Sequence, residues 1–116
     1  MPLSPHALDR FLARLTAARP VTHKKMFGGA GFYVGATFFA VADDDRLWFK
    51  VDEVTEPAFV ARGCAQWTLT DKDGTRRGQP YREIPGDVLV SDAELGVWID
   101  DSVGAAQRRR VRPKSS

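Results

Sequence analysis

Apolar and polar positions alternate most regularly across residues 24–51, KKMFGGAGFYVGATFFAVADDDRLWFKV, where Phe32, Val34, Phe38, Ala40, Val41, Leu47, Phe49 and Val51 recur in twos within short segments. A period of two marks strands with one buried face. Three strands and two turns fit the stretch, with residues 21–27 beginning the sheet. The run Gly28-Gly29-Ala30-Gly31 is followed by strand-forming Phe32-Tyr33-Val34 rather than by a helix, so it reads as a bulge or bend and not as a phosphate-binding loop. Residues 38–42 and 47–51 flank Asp43-Asp44-Asp45-Arg46, a hairpin connection, because aspartate tolerates turn conformations.

Helical spacing brackets this sheet. Ser4-Pro5 is a helix start, and Leu8, Phe11, Leu12 and Leu15 follow at i, i+3, i+4 and i+7. A short second helix is predicted from Thr55 as N-cap, Pro57 in the first turn and Gly63 just past the end. Two more strands, 66–70 and 76–84, are joined by a turn ending in Asp73-Gly74, and Pro80 must lie at an edge or an interruption. Ser91-Asp92-Ala93-Glu94 is a capping box for a third helix with Leu95, Trp98, Ile99 and Val103 as its stripe.

Five strands covered by helices on one face leave the other face short of cover. Phe39 and Trp48 alternate out of phase with Phe38 and Phe49, so they are assigned to that second face as candidate interaction residues. A symmetric homodimer is the expectation that follows.

Charge changes the picture at one end. Residues 108–116 carry five of the 17 basic residues and no acid, leaving 12 basic against 15 acidic residues before them. Residues 107–116 therefore read as a basic, disordered tail after a domain at 1–106. Arg108, Arg109, Arg110, Arg112 and Lys114 are its candidate contacts to nucleic acid, weak, salt-sensitive and without sequence readout.

Candidate chemistry is sparse. Cys64 is the only cysteine, so an internal disulfide and a cysteine zinc site are excluded. Its reactivity would need a base or a positive environment, and neither His6 nor His23 is near in sequence. Asp43, Asp44 and Asp45 point apart along a turn and do not converge on a cation. No catalytic, metal or cofactor site is expected, and the chain reads as a non-enzyme; the competing class is a small enzyme or ligand-binding protein with a pocket of converging polar groups. No apolar run approaches the roughly 20 residues of a membrane span, and residues 1–19 lack a signal's apolar core, so a cytoplasmic location is expected.

The string Val21-Thr22-His23-Lys24-Lys25-Met26-Phe27-Gly28-Gly29, continuing through Phe32-Tyr33-Val34 and Leu47-Trp48-Phe49-Lys50-Val51-Asp52, closely resembles the N-terminal domain of the TfoX competence-regulator family. Lys-Met-Phe-Gly-Gly is the most specific part, and Tyr81-x-Glu83-Ile84-Pro85 is similar to a second family signature, while Gln79-Pro80-Tyr81-Arg82 departs from it. The resemblance covers residues 5–106. It implies an α+β fold, a two-layer α/β sandwich in the order helix, three strands, helix, two strands, helix, with an antiparallel sheet like that of secretion chaperones. Full-length members are coactivators of competence-gene transcription with a further C-terminal domain. The chain, ending at Ser116, resembles the stand-alone members. A regulatory interaction module is the expectation, with a protein of the transcription machinery as partner. Lys24, Lys25, Met26, Phe27, Gly28 and Gly29 form its candidate recognition edge.

Overall fold

Ser4 and Pro5 open α1 (Pro5–Ala18): Ser4 Oγ accepts from the Ala7 amide at 3.2 Å, and Pro5 fills a position whose amide would find no partner. A computed structural model of the chain describes residues 3–26 and 28–111, the last two by backbone alone. After α1 come β1 (Val21–Met26), β2 (Gly29–Val34), β3 (Thr37–Asp43), β4 (Arg46–Lys50), α2 (Glu56–Ala61), β5 (Gln66–Thr70), β6 (Arg76–Glu83), one short helical turn α3 (Gly86–Leu89), and α4 (Asp92–Val111). The strands form one antiparallel sheet in the order β1-β2-β3-β4-β6-β5. Phe11 and Leu15 of α1 and Leu95 and Ile99 of α4 pack with Phe32, Phe39 and Phe49 of the sheet. The fold is therefore α+β, in the two layers expected.

The glycine run makes a hairpin, not a bend in one strand. Gly28 takes φ 77°, and β1 and β2 pair from Met26↔Gly29 to Val21↔Val34. Four strands thus precede α2 instead of three. A Cβ on Gly29 would stand 2.1 Å from the Ala42 carbonyl oxygen, so only glycine lets β2 lie this close to β3. The aspartate turn is as expected, with Asp44 and Asp45 at φ 55° and 57°, the two positive values of a tight hairpin loop.

A bulge in β3 overturns the phase assigned to Phe39. Phe32 pairs with Ala40 and Tyr33 with Phe38, which leaves Phe39 as an extra residue and turns it toward the helices beside Ala40. Phe39 is fully buried in the main core, edge-on to Phe49 with ring centroids 5.4 Å apart. It is not an interaction residue of the second face. Pro80, in contrast, lies where the sequence requires: Gln66 pairs with Arg82 and Thr68 with Gly78, so the ladder of β5 and β6 is interrupted around it.

The second face is also covered over one end. β1 and β5 are opposite edges of the sheet, yet Trp67 and Leu69 of β5 share a cavity of about 70 Å³ with Met26 of β1 and Gly29 of β2. Trp67 Nε1 donates to Asp43 Oδ2 of β3 at 3.1 Å. The sheet curls until β5 reaches across to β3, in the sense that natural twist favours, and Val41, Trp48, Trp67 and Tyr81 form a second small core inside the curl. Trp48 is 6% exposed. Trp67 of β5 and Tyr81 of β6 cover Trp48 within one chain, so Trp48 does not call for a second copy to bury it.

α4 begins at the predicted cap, where Ser91 Oγ accepts from the Glu94 amide at 3.3 Å. The reciprocal half of the box is replaced, since the Ser91 amide donates to Val88 of α3. Ser102 lies buried at mid-helix and donates to the carbonyls of Phe39 and Lys50, tying α4 to β3 and β4. The helix then runs past the boundary drawn at residue 106 through Val111, so residues 107–111 are helix and not tail. Residues 112–116, with Arg112 and Lys114, lie outside the described residues, as do the side chain of Arg110 and all of Phe27.

Candidate interaction surface

Alternation along the four strands of the curl sends Lys24 and Met26, Gly31 and Tyr33, Phe38 and Val41, and Trp48 and Lys50 to its inner face. The rings make a chain: Tyr33 to Phe38 at 5.2 Å between centroids, Phe38 to Tyr81 at 6.3 Å, Tyr81 to Trp67 at 5.3 Å. The Tyr81 and Trp67 end is buried. Tyr33 and Phe38 at the other end are half-buried. Lys24 Nζ stands 5.5 Å from the Tyr33 centroid and Lys50 Nζ 5.2 Å from that of Tyr81, the geometry of cation–π attraction.

The charges here differ from those elsewhere on the chain. Arg14, Arg19, Arg46, Arg62, Arg77, Arg82 and Arg108 each hold a carboxylate. Among the described residues no carboxylate pairs with Lys24 or Lys50. Burial, and secondarily the positive charge of Arg109, pushes the Lys50 ammonium below its usual range. Burial pushes the Tyr81 hydroxyl up to about 12 against the opposing pull of Arg109. Arg109 thus stands near both, with its Nε donating to the Val51 carbonyl at 3.0 Å.

The predicted recognition edge is divided between two faces. Lys24 and Met26 reach the inner face, where a Cβ on Gly31 would meet Met26 Cε at 2.4 Å and Phe38 Cε1 at 2.7 Å. Lys25 points to the helix side and lines a cavity of about 340 Å³ with Leu3, Pro5, Leu8, Gly28 and Gly29. Of the predicted nucleic-acid residues, Arg108 is bound to Asp52 and Arg109 lies beside Lys50. Tyr33, Phe38, Lys50 and Tyr81 were not singled out by the sequence. The twofold spacing of Trp48 and Lys50 was a signal for Lys50, but nothing local joins Tyr33 to Phe38.

A larger cleft of about 460 Å³ opens between α1, β4, α2, β6 and α3, lined by Arg10, Arg46, Arg62, Cys64 and Glu83 among others. Its arginines are largely engaged, Arg46 with Glu83 and Arg62 with Asp87. Burial raises the Cys64 thiol above its usual range, more than the neighbouring arginines lower it, which disfavours the thiolate a nucleophile needs. Among the described residues no three of His, Cys, Asp and Glu stand together as metal ligands, and no helix is long and apolar enough to cross a membrane.

Residues 13–106, most of the chain, match the family model described as the TfoX N-terminal domain. The chain belongs to that family. No curated protein matches it. The TfoX match opens inside α1 and closes inside α4, so it takes in the whole curled sheet with Lys24, Tyr33, Phe38 and Lys50. Arg108 and Arg109 fall outside the matched TfoX segment.

Proposed function

We propose that this TfoX-type domain is a non-enzymatic, cytoplasmic interaction module that regulates transcription, in competence or a related programme, by binding a macromolecular partner on the open end of its inner sheet face. The observation that carries the reading is the half-buried Tyr33 and Phe38 pair between Lys24 and Lys50, two cations without a carboxylate partner among the described residues. Partly exposed aromatic rings beside cations that hold no carboxylate favour a partner site over a merely solvated surface. Tyr81, the group raised most strongly here, stays protonated throughout the physiological range, which suits packing better than proton transfer. Homodimerisation belongs to the proposal only through another surface, since Trp48 is covered within one chain.

The test is genetic. A deletion strain of the source organism is complemented with the wild-type chain or with Lys24→Glu/Lys50→Glu, folding is verified by circular dichroism, and transcripts are compared. Loss of the regulated transcripts with the folded variant supports the reading. Identical transcripts in deletion and complemented strains overturn it.

A further inference from the structure

We propose that the open end of the inner face binds single-stranded nucleic acid, with bases stacked on Tyr33 and Phe38 and phosphates held by Lys24, Lys50 and Arg109 of α4. This rests on the reading of that face as the partner site and names its occupant. Tyr33 and Phe38 are directly paired across β2 and β3, and their half-buried rings lie 5.2 Å apart at 31°. Two neighbouring ring surfaces on a sheet form a platform that any base can use, because every base has a π-face.

The charges complete the site. Lys24 flanks the platform on the β1 side, Lys50 on the β4 side, and the last turns of α4 bring Arg109, whose Nε donates to the Val51 carbonyl at 3.0 Å, within electrostatic reach of Lys50 and Tyr81. Lys24 and Lys50 pair with no carboxylate among the described residues, and Arg109 donates to a backbone carbonyl, so these cations are available to successive phosphates. Two carboxylates lie at the opposite end, where the β3–β4 turn places Asp43 on Trp67 and where Glu83 holds Arg46. The chain beyond Arg109 continues through Arg110, Arg112 and Lys114 with no acid. An acidic peptide shares the charge requirement but needs pockets for its side chains. A cavity of about 70 Å³ on this face, between Met26, Val41 and Trp67, is at the closed end.

The experiment uses the full chain and fluorescence anisotropy of a labelled oligothymidylate of about 12 nucleotides, within the usual footprint of such platforms. Binding is expected, and about three phosphate contacts should weaken it about 10–20-fold between about 50 and about 200 mM salt. Lys24→Gln/Lys50→Gln, which leaves the rings packed, should lower affinity about tenfold and flatten the salt dependence. Tyr33→Ser/Phe38→Ser should lower affinity further at every salt concentration. Should the ring variant fail to fold, the lysine variant decides. Equal binding of duplex DNA, or binding insensitive to the lysine variant but lost on removal of residues 112–116, overturns the inference. A random glutamate–tyrosine copolymer serves as the acidic-peptide arm. If it binds in a lysine-dependent way and the oligonucleotide does not bind, the nucleic-acid inference falls while the face remains a partner site; if neither binds, both fall.

Discussion

Arg108 Nε donates to Asp52 Oδ2 at 2.5 Å, and through this pair the last turns of α4 are fastened to the segment that leaves β4. The Asp52 side chain is 1% exposed and also accepts from the amides of Val54 and Thr55 at 3.1 Å each. These donors, Arg108 foremost, hold its carboxyl well below the usual carboxylate range.

A depressed carboxyl stabilises the fold above its unfolded value, about 3.9, and loses that contribution as the pH falls below it. Urea unfolding followed by tryptophan fluorescence should show the wild-type midpoint dropping below about pH 4. Asp52→Asn should cost about 1–3 kcal/mol at neutral pH, the price of a buried charged acceptor, and should show a shallower acid decline. Equal acid profiles for the two chains would mean that the Arg108 pair does not contribute.

The bulge in β3 predicts opposite fates for adjacent residues of the same type. Phe39 is fully buried against Phe49, and Phe38 is half-buried beside Tyr33. Phe39→Ala should cost about 3–5 kcal/mol as a core cavity, and Phe38→Ala about 1–2 kcal/mol for the area it covers. Strict alternation, with Phe39 outward, requires the reverse order in paired urea titrations.

What was legible in the sequence is what depends on near neighbours. Ser4-Pro5, the aspartate turn, the interruption at Pro80 and the Ser91 cap each act over a few residues, and each stands where the pattern places it. The misplaced features depend on distant partners. Phe39 changes face because β2 and β3 slip register between Phe32 and Tyr33. The inner face closes because Trp67 reaches Asp43, 24 residues away in the chain. α4 extends through the basic segment, whose Arg108 has Asp52 within reach, 56 residues back. Lys24 could be read as a candidate from its motif, but its place over Tyr33 depends on the β1–β2 hairpin, and the joining of Tyr33 to Phe38 on the slipped register of β2 and β3.

Closure of the inner face makes Trp48 a stability residue. Arg46 stacks 4.8 Å from its ring centroid, and Val41, Trp67 and Tyr81 complete its surroundings. Trp48→Glu places a carboxylate in this small core, at a cost of at least about 3 kcal/mol. Its urea midpoint should fall at every protein concentration. A variant of unchanged stability that alters only the mass seen in light scattering would show that the face is open in solution and serves a second copy of the chain.

Cys64 offers a measurement of the arginine-lined cleft. The thiol is half-buried at the end of α2 and packs against the main core. Burial is the largest influence on it and raises its pKa; Arg62 and Arg82 lower it, Glu83 and Asp87 raise it. Alkylation proceeds through the thiolate, so a raised pKa means a smaller reactive fraction at neutral pH. Iodoacetamide should therefore react more slowly at neutral pH than with a free cysteine, and the rate should keep rising past the ordinary thiol value of about 8.5. Charge changes at the cleft should shift that profile in opposite directions: Glu83→Gln removes a negative neighbour and should speed the reaction, and Arg62→Gln removes a positive one and should slow it. A rate that levels off below pH 7.5, or moves the same way in both variants, would mean that the thiol answers to something other than burial and these neighbouring charges.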